Sequence, residues 1–295
     1  MSRNWPEYNR RLVKRGEFYF SMDFLDSWER ELSSMNRGKR GRRFLFPESY
    51  IMFTSFLRTS LGLQYRQAQG ALRKLGSYIP GLHAADYTTL WRRAAALDLS
   101  ELELSDPQEA KVVAIDASGF KITNRGDWMR HIWHTTRRGW IKASIAVDAE
   151  TKELVAIEVS DESRADNAYF RPLVDACKGA KTLLADGAYD KRENYDYLKK
   201  KDIAPGIRLR KNASRRSRGC AYRAAMVREK DRLGEEGWKN KYGYGRRWAV
   251  EGYFSSVKRQ FGENVRATSE KGMAREVMWK FLAYSLLQQA EKARQ

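Results

Sequence analysis

The sequence predicts a mixed α/β fold, a sheet with helices on its faces, preceded by a small all-helical region. Two observations support this prediction. Between residues 46 and 105 apolar residues recur at spacings of three and four, the period of amphipathic helices. From residue 106 the chain alternates β-branched, strand-like runs with helical segments. Strands that alternate with helices form a mixed sheet whose faces the helices cover.

The first 105 residues divide into a basic arm and a helical region. Residues 1–45 are aromatic and basic and end in NRGKRGRR, whose glycines and cations favour a flexible arm. Residues 46–105 then predict three short helices, of which the last follows a capping residue, Asp86 or Thr88. This region is compatible with a helix-turn-helix-like DNA-binding unit that carries Arg92 and Arg93, and equally with an ordinary helical bundle.

Residues 106–295 predict the α/β domain. Strands are predicted over three successive segments and a fourth one further on: 111–122, 140–151, 152–160 and 181–189. Helices are predicted at 167–179 and 192–201, and a periodic helix from residue 270 should pack on the sheet. Residues 208–243 form a basic insertion. Its first part, RLRKNASRRSRG, contains Arg215 and Arg216 and no acid, which favours phosphate contact over a solvated loop.

The charge of the chain predicts a polyanionic partner. Lys and Arg number 56 against 37 Asp and Glu, a formal net charge of +19. Each phosphate that such cations neutralise releases condensed counterions, so nucleic acid is the expected ligand. No apolar run approaches the roughly 18 to 20 residues that cross a bilayer, and the N-terminus lacks an apolar signal core. We therefore expect a cytoplasmic protein without a membrane partner.

Several chemistries are disfavoured by the sequence. The two cysteines lack a C-x-x-C spacing, which argues against a zinc or disulfide scaffold and fits a reducing compartment. His131 and His134 form an H-x-x-H pair, but with no third ligand nearby they favour packing or phosphate contact over metal binding. Neither a G-x-S-x-G nucleophile elbow nor a phosphate-cradling glycine loop is present.

Three carboxylates are candidates for catalysis. Asp116 and Asp186 each end an apolar, strand-like run, so neighbouring strands would bring both to one edge of the sheet. Glu251 would join them if its helix crosses that edge. Acids held together repel one another unless a cation lies between them, and Mg²⁺ suits oxygen ligands of this kind. Two such ions about 3.5 to 4 Å apart would support in-line phosphoryl displacement without a histidine base.

The helix that carries Glu251 also carries cations on the same face. Arg247 and Lys258 lie one and two turns from Glu251, and Tyr244 stands near the helix start. These residues could hold the phosphates of a nucleic-acid strand that passes the metal ions. The alternative is a salt-bridge ladder on a surface helix. Three neighbouring residues are expected to anchor the helix in the core: Trp248, Val250 and Phe254.

The run Tyr244-x2-Arg247-x3-Glu251-x6-Lys258 resembles the Y-R-E-K signature of bacterial and archaeal insertion-sequence transposases of the DDE class. IDASGFK around Asp116 and ADGAYD around Asp186 are similar to the two aspartate motifs of these enzymes, closest to the insertion-sequence-five family. NWPEYNRRLVKRG and DYTTLWRR are similar to N-terminal segments of that family. One departure is Ala117-Ser118, where relatives often have Ser-Thr, and it leaves the metal carboxylate intact.

This resemblance implies an RNase H-like catalytic domain in a transposase. Such enzymes bind the terminal inverted repeats of their element, hydrolyse its ends and join the 3′-hydroxyls to target DNA, with Mg²⁺ or Mn²⁺. It implies that the three carboxylates are the metal ligands and that Tyr244, Arg247 and Lys258 contact DNA. Tyr189 could stack on a displaced base or pack in the core. Synapsis of two ends implies a homodimer.

Two other functions remain open at this level. A DNA-binding regulator descended from a transposase would need only the basic surfaces, and an RNase H-like nuclease would cleave DNA without joining it. The intact set of three carboxylates favours an enzyme over the regulator.

Overall fold

The computed structural model describes residues 4–99, 110–123, 139–161, 165–217 and 219–292. The chain divides into two compact units, Met1–Leu102 with Trp279–Gln295, and Glu103–Met278. The sequence predicted one boundary near residue 105 and assigned the C-terminal helix to the catalytic domain. The structure instead groups the second half of that helix with the N-terminal unit. None of the helices in the described segments is long and apolar enough to span a bilayer.

Five helices of the N-terminal unit are α1 (Trp5–Phe18), α2 (Phe24–Asn36), α3 (Glu48–Ser60), α4 (Tyr65–Gly76) and α5 (Tyr87–Ala96). The prediction of a flexible arm over residues 1–45 is wrong, because α1 and α2 occupy most of it. The Asn4 side chain caps α1 by accepting a hydrogen bond from the Glu7 amide, and Pro6 follows in the first turn. These capping signals determine the helix despite its charge.

Aromatic rings form the core of the N-terminal unit. Phe24 of α2 packs on Phe53 of α3 with ring centroids 4.9 Å apart, and Trp28 packs on Tyr50 at 5.3 Å. Tyr50 is fully buried, and its hydroxyl accepts a hydrogen bond from the Ala85 amide at 3.0 Å. Burial raises the pKa of Tyr50 to about 12. The aromatic residues of the supposed arm therefore hold α2 against α3.

The second unit contains a mixed sheet, as the sequence predicts. Its strands are β1 (Val112–Ile122), β2 (Trp140–Asp148), β3 (Leu154–Asp161), β4 (Thr182–Ala185), β5 (Ala204–Ile207) and β6 (Asn264–Val265). The strand order is β3-β2-β1-β4-β5. The first three strands pair antiparallel, whereas β4 runs parallel to both β1 and β5. The short β6 pairs in parallel with the far end of β1.

Five helices accompany this sheet: α6 (Phe170–Ala176), α7 (Arg192–Lys200), α8 (Ala221–Tyr242), α9 (Trp248–Phe261) and α10 (Glu270–Lys292). One face of the sheet forms a core with α6 and α7, in which Ile115, Leu173 and Leu198 are completely buried. The predicted basic insertion contains α8, which is kinked at Gly234. Helix α9 contacts β1 and β2. Helix α10 begins in this unit and ends in the N-terminal one.

Candidate active site

Asp116 and Asp186 lie at equivalent positions on neighbouring parallel strands. Ala114 of β1 stands opposite Leu184 of β4, and each aspartate is two residues further along its strand direction. The Asp186 carboxylate accepts a hydrogen bond from the Ala188 amide at 2.8 Å and so caps the short 3₁₀ turn that follows β4. The sheet therefore brings together these two acids, as the sequence predicts.

The partner of β1 changes beside Asp116. Along the edge of β1 that faces away from β2, β4 pairs with β1 as far as Ala114, and β6 pairs with it from Lys121 onward. The interval between the two partners carries Asp116, Ser118 and Phe120, which share one face of β1 because strand side chains alternate. Helix α9 contacts β1, and its residue Lys258 meets this interval.

Arg247 links two of the three carboxylates. It lies at the junction between the 3₁₀ turn Tyr244–Arg247 and α9. Its Nη1 donates a hydrogen bond to Asp116 Oδ2 at 3.2 Å, and its Nη2 forms an ion pair with Glu251, one helical turn further on. A single guanidinium thus stands between an acid of the sheet and an acid of the helix. The pair between Arg247 and Glu251 is the one expected from the salt-bridge alternative left open by the sequence, whereas the bond from Arg247 to Asp116 was not predicted.

The charges of the other two carboxylates reach Asp116. Burial raises the pKa of Asp116, and the negative charges of Asp186 and Glu251 raise it further. The Ala117 amide and Arg247 oppose this shift. Ionised Asp116 is therefore held in an environment that favours its protonation, which is typical of acids that await a cation.

The donor set suits a hard divalent cation. Asp116 and Asp186 offer carboxylate oxygens at one sheet edge, and Mg²⁺ and Mn²⁺ prefer such ligands. In the described part of the chain no three carboxylate, histidine or cysteine side chains are close enough to form a metal-binding group. Glu251 is paired with Arg247, and its side chain is 55% exposed, so it can reorient. Asp116 and Asp186 could hold a metal ion, and Glu251 would join them on leaving Arg247.

Lys258 lies against β1 in the interval between the two strand partners. Its Nζ donates hydrogen bonds to Ser118 Oγ at 2.8 Å and to the Gly119 carbonyl oxygen at 2.9 Å. The ammonium also lies 5.2 Å from the centroid of the Phe120 ring. Burial lowers the pKa of Lys258. Ser118 was not predicted as a partner of Lys258, although it stands two residues after Asp116 on the same strand face.

Tyr244 contacts the end of β4. Its hydroxyl donates to the Ala185 carbonyl oxygen at 3.4 Å, immediately before Asp186, and its ring packs on Trp238 with centroids 5.1 Å apart. Burial raises the pKa of Tyr244. Tyr244, Arg247 and Lys258 therefore contact the two aspartate-bearing strands, whereas Glu251, the fourth signature residue, pairs with Arg247.

Tyr189 does not face the site. It is 1% exposed and packs in the hydrophobic core, with its ring centroid 6.0 Å from that of Phe170. A ring buried in this way cannot stack on a DNA base without opening the core. The structure therefore favours the packing alternative for Tyr189 over base stacking.

The other arginines predicted to bind DNA differ in their surroundings. Arg93 is turned inward, since it donates to the Phe46 carbonyl oxygen at 2.9 Å and lies over the Phe44 ring, and burial lowers its pKa. These contacts give Arg93 a structural role, and its predicted phosphate contact stays a prediction. Arg92, on the same helix, is exposed. In the second unit, two exposed arginines lie in the segment before α8: Arg215, which pairs with Asp231, and Arg216.

Two features near the site were not predicted. Trp248 was expected to anchor α9 in the core, but it is 54% exposed, with the Lys152 ammonium 4.5 Å from its ring centroid. Val250 and Phe254 are buried, as predicted. His131 and His134 lie outside the described residues, so the structure does not bear on their role.

The second feature is a buried ion pair beside Asp186. Asp190 accepts two hydrogen bonds from Arg223, at 2.6 and 2.7 Å, and a third from the Arg210 amide at 2.9 Å. Arg210 also donates its Nε to the Gly187 carbonyl oxygen at 3.1 Å. These hydrogen bonds therefore connect the turn after Asp186 to Arg210 in the basic segment and to Arg223 in α8. An acid four residues after Asp186, in ADGAYD, was the only signal for it in the sequence.

The fold and the site define a class of protein. A sheet of order 3-2-1-4-5 with aspartates on its first and fourth strands, and a glutamate on a helix across it, is an RNase H-like domain suited to metal-dependent chemistry on nucleic acid. Two family models, each described as a transposase DDE domain, match residues 107–286 and 13–125. The first covers more than half of the chain, so the chain belongs to the DDE transposase family. Membership implies a transposase that acts on DNA with divalent metal ions.

Proposed function

We propose that this transposase binds the terminal inverted repeats of its own insertion sequence, cleaves the DNA ends by phosphodiester hydrolysis and joins the freed 3′-hydroxyls to target DNA. The observation that carries the proposal is the convergence of Asp116 and Asp186 on adjacent strand ends, with Arg247 and Lys258 at the same edge. The match to the transposase family supports the choice of DNA as substrate. The narrower assignment to the insertion-sequence-five family is compatible with both matches.

The site residues have separable roles in this proposal. Asp116, Asp186 and Glu251 would hold Mg²⁺ or Mn²⁺, two ions in each site. When bound, these ions supply an activated oxygen nucleophile and stabilise the leaving oxygen. Arg247 exchanges its carboxylate partners for a DNA phosphate, for which its planar guanidinium is suited.

Lys258 and Tyr244 position the DNA strand. The Lys258 ammonium is held at Ser118 and Gly119, two and three residues beyond Asp116. A phosphate beside Asp116 would lie within reach of this cation. Tyr244 borders Asp186 in the same way, through its contact with Ala185. The two ends of the element must be held together for joining, and we therefore propose that the chain acts as a homodimer.

A cleavage assay tests this proposal. The substrate is a duplex with the inverted repeat that borders the coding frame, incubated with Mg²⁺. We expect Asp116→Ala and Glu251→Ala to abolish cleavage while duplex binding is retained. Asp231→Ala, which removes an acid that pairs with Arg215 away from the sheet edge, is the matched control and should cleave normally. Cleavage by either site variant at the wild-type rate would contradict the proposal.

A second substrate separates a transposase from a nuclease of the same fold. Duplexes with precleaved 3′-hydroxyl ends, supplied with target DNA, should give joined products. Cleavage without joining would favour the nuclease. Binding without cleavage by the wild-type protein would favour a regulator.

A further inference from the structure

Helix α4 presents a cationic face in the N-terminal unit. Its sequence, YRQAQGALRKLG, has three cations and neither Asp nor Glu. Ala68 and Leu72 are its buried residues, so helical periodicity turns the opposite side outward. The exposed residues on that outward face include Arg66, Gly70, Arg73 and Lys74.

The cations of this face are not neutralised by acids. Some exposed cations of the chain pair with carboxylates, as Lys239 does with Glu236 at 2.8 Å. For Arg66, Arg73 and Lys74 no ion pair with an acid is found within the described segments. Two of them lie over aromatic rings instead, Arg66 over Tyr87 and Lys74 over Tyr78, both at 4.6 Å. The face therefore keeps its positive charge available for a ligand.

Gly70 stands in the middle of this face, and the protein itself has no evident need for a glycine there. A Cβ at this position would meet nothing within 4 Å, and the backbone does not adopt the left-handed conformation that favours glycine. Glycine inside a helix destabilises it relative to alanine. Because glycine has no side chain, the helix surface is low at this position, and the backbone of a partner can approach closely between the flanking cations.

Helix α5, by contrast, is less suited to phosphate. Asp86 caps its N-terminus and accepts hydrogen bonds from the amides and hydroxyls of Thr88 and Thr89, which hold the Asp86 pKa well below its usual range. A permanent negative charge thus lies where a helix N-terminus would otherwise attract phosphate. Helix α4 instead begins with neutral glutamines, Gln64 and Gln67, which form a capping box. The comparison favours α4 as the surface that meets DNA.

We propose that the outward face of α4 contacts the sugar-phosphate backbone of duplex DNA, with Gly70 at the point of closest approach and Arg66, Arg73 and Lys74 bound to phosphates around it. From Arg66 to Arg73 the helix advances about 10 Å, enough to reach more than one phosphate. This inference deepens the proposed function and rests on it, since the duplex concerned is the terminal repeat. It assigns the contact to α4 rather than to the arginines of α5.

The glycine gives a test with two opposite outcomes. Binding is measured by fluorescence anisotropy without divalent metal, in an Asp116→Ala background, on a duplex with the inverted repeat that borders the coding frame. Gly70→Leu should raise the melting temperature, because leucine favours the helix, and yet weaken binding about tenfold or more. Gly16→Leu is the matched control, since Gly16 is also helical and open to solvent. It should stabilise the protein without loss of affinity.

The cations give an independent test. Arg73→Gln and Lys74→Gln should each weaken binding, and each should reduce the slope of log affinity against log salt by about 0.9. Lys239→Gln, which removes a cation already paired with Glu236, should change neither quantity. Wild-type affinity and salt slope in the α4 variants would overturn this inference alone. Failure of the wild-type protein to bind the duplex would overturn the proposed function with it.

Discussion

The buried pair between Asp190 and Arg223 allows a quantitative prediction. The Asp190 side chain has no solvent exposure and that of Arg223 is 16% exposed. Arg223→Ala removes the two hydrogen bonds that Arg223 donates to Asp190, while the bond from the Arg210 amide stays. A carboxylate that stays buried without its cation destabilises the native state, because its desolvation is no longer offset.

The expected cost is about 3–5 kcal/mol in the free energy of unfolding, the range for loss of one partner from a buried pair. Urea denaturation followed by tryptophan fluorescence measures it. Arg215→Ala is the matched control, since Arg215 is 72% exposed in its pair with Asp231 and should cost no more than about 1 kcal/mol. A double variant with Asp190→Ala should cost less than the sum of the two single changes.

The same variant should affect catalysis. Because Arg210 binds both Asp190 and the Gly187 carbonyl oxygen, loss of the pair loosens the turn that begins at Asp186. At a temperature where Arg223→Ala is folded, we expect slower DNA cleavage and a higher Mg²⁺ concentration for half-maximal rate. A cost below about 1 kcal/mol would refute the energetic reasoning. Wild-type cleavage with unchanged Mg²⁺ dependence would refute the positioning role.

Three further predictions concern the sheet and its edge. Asp116→Asn should stabilise the metal-free protein at pH 7. Because the folded pKa of Asp116 is raised, its ionisation costs stability above that pKa, so the gain should disappear on acidification below about 3.9 in thermal melts. Gly206→Ala should cost about 1–3 kcal/mol in urea denaturation, since its Cβ would lie 2.5 Å from Leu184 Cδ2. Lys258→Met, which removes the bond to Ser118, should cost about 1 kcal/mol and reduce cleavage far more than stability.

The sheet was predictable because its strands are continuous apolar runs. The predicted segments 111–122 and 140–151 correspond to β1 and β2 with small differences at their ends. The convergence of Asp116 and Asp186 followed from the same logic, since residues at equivalent positions on neighbouring parallel strands meet at one edge. The local pattern of residues was enough to predict these strands. The convergence of the two aspartates needed one further assumption, that their strands are neighbours in the sheet.

What failed depended on tertiary packing. Residues 1–45 were interpreted from charge, whereas two of their aromatic residues, Phe24 and Trp28, are buried against α3. Trp248 was assigned to the core from its type, but its position one residue after Arg247 turns it to solvent. Tyr189 lies three residues after Asp186, and the 3₁₀ turn that Asp186 caps directs it into the core. Side-chain direction at the end of an element is not determined by spacing in the sequence.

Arg247 connects the architecture of the site to its proposed chemistry. The four-residue separation between Arg247, just before α9, and Glu251 gives an i, i+4 pair, and the sheet places Asp116 within reach of the same guanidinium. In the protein without metal, this cation lowers the repulsion among acids that a divalent ion would otherwise relieve. In the proposed function, acids that hold a divalent ion would no longer need the guanidinium, which would then be available to a DNA phosphate. The spacing of the signature would allow one arginine to pair with the acids or with DNA.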